Sequence, residues 1–283
     1  MMHIQSEAVS PNVKLSYACE DDPLGKRFII QAIEYATGRR KLEKMYADVN
    51  NTVPDSRYIW EDVIERLSIQ LNYNLDMIGK IPKQGPLVFI SNHPFGVVDG
   101  LILGHIVSLV RDRFVVLVNE VLCRYERLAP YLLPIDFRET KDAMRTNIMT
   151  RQKVIDRLKD GEALAIFPAG GVATSHGWWG QARDLQWKRF VTKVIRLTEA
   201  TVVPVYVHGQ NSRLFQIVSQ FSLTLRLSLL LNEVRNKIGK EIDISIGEPI
   251  SFNELKDIKD KQEMLNHLRD VTYGLSNSNM LYY

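Results

Sequence analysis

Four short apolar runs constrain this chain more than anything else in it: LVFIS (87–91), FVVLV (114–118), ALAIF (163–167) and VVPVYV (202–207). None shows the polar alternation of a half-wet strand, so each reads as a strand buried on both faces. The stretches GVVDGLILGHIVSLV and RTNIMTRQKVIDRLKDG between them carry apolar residues at helical spacing. Strands alternating with helices predict an α/β fold with a mostly parallel central sheet covered by helices on both faces. IDISIG (242–247) reads as a later, more edge-like strand. IQLNYNLDMIG alternates strictly through Ile69, Leu71, Tyr73, Leu75 and Met77, which predicts a strand with one wet face. Upstream, residues 23–67 read as helices broken by the turn-rich NNTVPDS, one of them PLGKRFIIQAIEYATG with Gly38 as its stop.

Composition enters mainly by exclusion. A net charge of +3 does not suggest nucleic acid, although a mild cationic excess suits anionic surfaces or small anions. Two cysteines, Cys19 and Cys123, make no metal spacing and fit a reducing compartment. The N-terminus lacks the apolar core of a signal peptide, and no run of about 18 apolar residues offers a spanning helix. The expectation is a cytoplasmic chain, or one seated on a membrane face.

In largely parallel sheets ligands gather at the carboxyl ends of the strands, and the distinctive residues here all follow such ends. After LVFIS comes SNHPFGVVDG, where Pro94 and Gly96 force a turn and a helix follows. His93 falls in that turn and Asp99 in or near the first helical turn, so the two can converge. Imidazole is the side chain whose unperturbed pKa, about 6.5, permits proton exchange near neutrality. A carboxylate on one ring nitrogen fixes the tautomer and frees the other as a base. The plainer alternative is that His93 merely caps a tight turn. GxSxG is absent, so a nucleophile would have to be the substrate's own hydroxyl or amine.

Three further strand ends carry polar residues. LLPIDFRETKD offers Asp136, Arg138 and Lys141, which by themselves read as a solvated loop. AIFPAGGVATSHGWW runs a strand into Pro168, Ala169, Gly170 and Gly171, whose backbone amides could approach an anion or an oxyanion. Beyond it, Arg183, Lys188 and Arg189 lie beside Trp178, Trp179 and Trp187, a pattern that suits a membrane interface or a partly buried core equally. VVPVYVHGQNSRLF places Gln210, Asn211 and Arg213 after the fourth run. The segment that follows, 214–231, has one charge, Arg226, among eleven Leu, Ile, Val or Phe residues. It reads as an interfacial amphipathic helix or a core element, and its alternation from Phe221 to Leu229 also permits a strand.

In order, IPKQGPLVFISNHPFGVVDG, IFPAGGVATS, VVPVYVHGQNSRLF and IGEPISFNEL resemble the glycerolipid acyltransferase superfamily. The nearer likeness is to its bacterial lysophospholipid acyltransferases, a branch often labelled hemolysins, with lyso-ornithine lipid acyltransferases as relatives. The resemblance implies that His93 is the general base, deprotonating an acceptor hydroxyl that attacks an acyl thioester, and that Asp99 orients the imidazole. It implies that Asn92, Gly96, Phe167, Pro168, Gly170 and Gly171 lie at the substrate, with Arg138 or Lys188 as anion contacts. Acyl-CoA or acyl-carrier protein is then the co-substrate, with no metal or other cofactor, and the partner is a lyso-lipid at the inner face of the cell membrane. The implied organisation is a helical, membrane-docking segment at 1–68 and an acyltransferase domain at 69–283. One departure stands out: the superfamily commonly reads FPEGT and this branch often FPAGEVS, whereas Ala169 and Gly171 leave the loop here with no acidic residue. A hydrolase using the same dyad on water, and a non-catalytic lipid-binding protein, are the alternative readings.

Overall fold

A computed structural model describes residues 16, 23–36, 58–120, 123, 128–136 and 140–277. Its centre is a seven-stranded sheet. The strands are β1 (Gln70–Asn72), β2 (Leu87–Ser91), β3 (Phe114–Asn119), β4 (Leu132–Ile135), β5 (Ala163–Ile166), β8 (Thr201–Val207) and β9 (Glu241–Ile246). A separate two-stranded ribbon is formed by β6 (Thr174–Ser175) and β7 (Ala182–Arg183). Across the sheet the order is β1-β9-β8-β2-β5-β3-β4. Five neighbouring strands, from β8 to β4, are parallel, while β9 runs antiparallel to β8 and parallel to β1. The α/β class and the mostly parallel sheet therefore stand as expected.

The apolar runs explain why β2 sits in the middle. Leu87 and Phe89 face one layer of helices, Val88 and Ile90 the other, and all four are fully buried. Burying side chains of this size stabilises by about 1.5–3 kcal/mol each. One covering layer contains α1 (Leu24–Ala36), α2 (Ile59–Arg66), α4 (Val97–Ser108) and α8 (Leu223–Lys237). The other contains α5 (Lys141–Lys159), α6 (Phe190–Thr198) and α10 (Lys261–Gly274). Ile30, Ile59 and Trp60 belong to the same apolar cluster as Phe89. Trp60 lies so close over α4 that any Cβ at Gly104 would sit 2.3 Å from its ring, so this crossing requires glycine.

Four expectations are corrected. The strand predicted through Met77 stops at Asn72, because Asn74 caps the short helix α3 (Leu75–Lys80) by accepting the Asp76 N–H at 2.8 Å. LLPI is the edge strand β4 rather than loop, and Pro134 is tolerated there because, among the described residues, no strand lies beyond it. Asp136, read as solvated, is 5% exposed, with its N–H and C=O both held by Asn147. IDISIG is flanked by β8 and β1, so β1 and not β9 is that edge. The ambiguous 214–231 segment is helical: α7 (Arg213–Phe221) and α8, with Ser222 accepting the Leu225 N–H at their junction. A last short helix, α9 (Phe252–Leu255), precedes α10.

Candidate active site

β2, β5 and β8 are adjacent and parallel, so the segments leaving their carboxyl ends converge. Asn92 comes first. Its Nδ2 donates to the Val207 carbonyl at 2.9 Å and its Oδ1 accepts the Val207 N–H at 2.8 Å. It is 4% exposed, and its amide ties β2 to β8. The expected role was a substrate contact; the bonds observed are to the Val207 backbone. Its value to the site is that the two strand ends cannot splay apart.

The turn that follows is set by Gly96, whose φ of +99° is open to glycine almost alone. A Cβ there would also lie 3.0 Å from Leu230 Cδ2 and 3.2 Å from Val172 Cγ2. The turn delivers Asp99 as the third residue of α4. One oxygen, Oδ2, accepts the N–H groups of Phe95 (2.7 Å) and Gly96 (2.8 Å) and lies 2.9 Å from His93 Nδ1. Asp99 thus caps the helix and faces the imidazole at once, at the helix end where a carboxylate is favoured. Capping belongs to Asp99, not to His93. The five-residue gap between the two is a tight turn plus the first turn of the helix.

The His93 ring is fixed from several sides. Phe167 stacks on it, centroids 4.0 Å apart and planes 18° from parallel. Its own N–H donates to Asp184 Oδ1 at 3.0 Å, and its carbonyl accepts from Ala173 N at 2.7 Å. With Nδ1–H directed to the carboxylate, Nε2 is the nitrogen with an available lone pair, and it makes no hydrogen bond among the described residues. The side chain is 15% exposed while Asp99 is fully buried. That division suits a base: orientation from inside, access from outside.

Asp184 escaped the sequence reading. Besides His93 it accepts Trp187 Nε1–H at 2.8 Å, and its own N–H donates to the Tyr273 hydroxyl at 2.9 Å. Burial pushes its carboxyl above the ordinary value, partly countered by the bonds from Trp187 and His93. Nothing local in QARDLQW announces this, because its partners lie 91 and 89 positions away in the chain. Of the three tryptophans left open between a membrane interface and a partly buried core, Trp187 is 3% exposed, whereas Trp178 and Trp179 are 56% and 80% exposed.

The loop after β5 turns tightly, with the Gly170 N–H donating to Phe167 O at 2.9 Å. That amide is therefore engaged within the turn and does not serve an oxyanion. Pro168 is buried, and its carbonyl accepts from Lys188 N at 2.9 Å. The exposed Lys188 Nζ reaches the open side of Gly170, 3.0 Å from where a Cβ would stand. Gly171 lies near Arg226, whose Nη2 donates to the carbonyl of Val172. Arg138 lies outside the described residues. Among the described residues no group of three His, Cys, Asp or Glu side chains is placed to hold a metal ion.

The arrangement is an oriented imidazole at a strand end with no side-chain nucleophile bonded to it, which suits removal of a proton from an incoming molecule. Comparisons with known proteins bear on the family. A lyso-glycine lipid O-acyltransferase of Phocaeicola vulgatus is 28% identical over 262 residues, 88% of either chain. One of Bacteroides thetaiotaomicron is 29% identical over 209 residues, covering 70% of this chain and 73% of that one. The crystal structure of a 1-acyl-sn-glycerophosphate acyltransferase from Thermotoga maritima aligns with a TM-score of 0.47 at 13% identity, over 89% of this chain and 97% of that one. The acyltransferase family matches residues 60–281, and the chain belongs to it, within the glycerolipid acyltransferase superfamily.

Proposed function

We propose that this acyltransferase moves a fatty acyl group from an acyl-carrier protein or coenzyme A thioester to the hydroxyl of a lyso-lipid, in the synthesis of a membrane lipid. The observation that carries the reading is the 2.9 Å contact between His93 Nδ1 and Asp99, which leaves Nε2 to act on substrate. In this reaction Nε2 takes the hydroxyl proton as the acceptor oxygen bonds to the thioester carbonyl carbon. The tetrahedral intermediate then breaks its carbon–sulfur bond, and the thiolate leaves with the proton from the imidazolium. Ester and thiol are the products. Asp99 stabilises the transient imidazolium. Base catalysis of this kind supplies about 10²–10⁴-fold, and holding donor and acceptor together supplies much of the rest. The similarity to two lyso-glycine lipid O-acyltransferases supports a lyso-lipid acceptor.

Such an acceptor sits in a bilayer, and the surface offers a means of meeting it. Leu24, Phe28, Ile29 and Tyr35 on α1 are 83%, 73%, 46% and 55% exposed, and Phe221 at the end of α7 is 70% exposed. Among the described residues no helix is long and apolar enough to cross a membrane. Peripheral docking through α1 at the inner face of the cell membrane is consistent with both features. The reading is tested by following thioester consumption with and without a lyso-lipid bearing a free hydroxyl. Acyl transfer predicts consumption that depends on the acceptor and yields its ester. Free fatty acid released at the same rate without acceptor would make the protein a hydrolase instead.

A further inference from the structure

Arg226 is the single charge in the 214–231 segment, and α8 carries it to the loop after β5. Its Nη2 donates to the Val172 carbonyl. A guanidinium has five N–H donors, and the others make no hydrogen bond among the described residues, nor does any carboxylate there pair with it. Burial lowers its pKa from the ordinary arginine value. A partly desolvated cation with unused donors is costly to hold unless something else answers it.

Its surroundings say where that something would lie. A side chain begun at Gly171 would start 3.8 Å from Nη2 and 3.6 Å from Leu185 Cδ1, so glycine leaves the volume next to the guanidinium without a side chain. Val172, the residue Arg226 holds, touches the Gly96 turn, as does Leu230 one helical turn further along α8. Gly96 in turn donates to Asp99. The guanidinium is thus linked to the dyad through Val172 and the Gly96 turn, and the loop it holds carries no acid of its own.

We propose that Arg226 binds the carboxylate of the acceptor's head group, and so selects an amino-acid lipid over an uncharged one. This rests on the acyl-transfer reading above. The planar fork of a guanidinium matches a carboxylate through two parallel N–H···O bonds. Low water content around it strengthens the pair. Gly171 makes room for that carboxylate; a glutamate at this position would occupy the same donors.

The test measures acyl transfer from one acyl thioester to three acceptors: lyso-glycine lipid, its neutral glycinamide counterpart, and lysophosphatidate. Arg226→Gln is expected to raise KM for the carboxylate acceptor about tenfold or more, with the amide acceptor and the thioester unaffected. Arg226→Lys is expected to recover part of the loss, keeping charge without the fork. Gly171→Glu, which leaves Arg226 intact, is expected to raise the same KM by competing for it. A melting curve for each variant serves as the check that it folds. Equal KM changes for carboxylate and amide would overturn the proposal, and so would a loss confined to lysophosphatidate. A wild-type protein that acylates none of the three removes the function beneath the proposal and the proposal with it. A wild type that acylates them all alike, with variants that do the same, overturns the proposal alone.

Discussion

The two ends of the central strands treat arginine in opposite ways. At the amino-terminal ends Arg111 donates from Nε and Nη2 to Pro82 O, from Nη2 to Gly85 O, and from Nη1 to Gly161 O. It thereby clips together the loops that lead into β2 and β5, just ahead of its own strand, β3. Nearby, the buried Glu162 is held by Arg113 and Arg157 at 2.6 Å each. At the carboxyl ends Arg226 makes one such bond, the Nε2 of His93 makes none among the described residues, and Asp99 Oδ1 is buried without a partner. Arg111 has its donors answered by carbonyls, whereas Arg226 and the imidazole keep polar atoms open. Unanswered polar groups cost stability wherever they lie, and Trp60 Nε1, His105 Nδ1 and Arg196 Nε are others; what sets the carboxyl ends apart is that Asp99 Oδ1 stands beside an oriented imidazole.

That contrast can be broken by exchanging damage between the ends. The largest expected effect is on rate. Asp99→Asn removes the charge that holds the imidazole tautomer and stabilises its protonated form. Acyl transfer is expected to fall about 10²–10⁴-fold, while the amide oxygen still accepts from Phe95 and Gly96, so thermal stability changes little. Steady-state kinetics beside a melting curve measures both. Arg111→Met should do the reverse, lowering stability by about 1–3 kcal/mol with kcat unchanged in the folded protein. Chemical denaturation read alongside activity checks it. A rate loss from Arg111→Met comparable to that of Asp99→Asn would erase the distinction between the two ends.

The smallest effect concerns pH. His105, 3.3 Å from the Tyr73 hydroxyl, and His208, 2.8 Å from Ser245 Oγ, both have pKa values lowered by burial, with Glu61 and Asp243 pulling the other way. A lowered folded pKa means that the neutral ring is preferred in the native state and the unfolded chain binds more protons. Stability is therefore full above the unfolded value near 6.5 and falls as pH drops through it toward the folded values. Melting temperature should decline modestly between about pH 7 and about pH 5, and a His105→Gln, His208→Gln double variant should flatten the decline.

The same comparison explains what could be read from the sequence. The dyad was legible because it is local: a strand end, a proline and glycine turn, and an acid placed in the first turn of a helix lie within seven residues, His93 to Asp99. The doubly buried strands were legible because water leaves no alternation in LVFIS or ALAIF. The bonds of Asn92 were not legible because its partner, Val207, is 115 positions distant and no spacing rule reaches that far. Asp184 and Trp187 are neighbours in the chain, but His93 and Tyr273 join them only across 91 and 89 positions. β1 was overextended because an asparagine cap at Asn74 overrides an alternation that the residues alone continue. Arg226 stood out as a lone charge in an apolar segment, but its position beside Gly171 depends on how α8 packs.

The central claim is that His93 removes the acceptor's proton, and the most direct measurement is the acyl-transfer rate of purified His93→Ala with a lyso-lipid and an acyl thioester, beside the wild type. A loss of about 10²-fold or more in kcat, with donor and acceptor still bound and the melting temperature retained, is the predicted result. Undiminished turnover by that folded variant would contradict it.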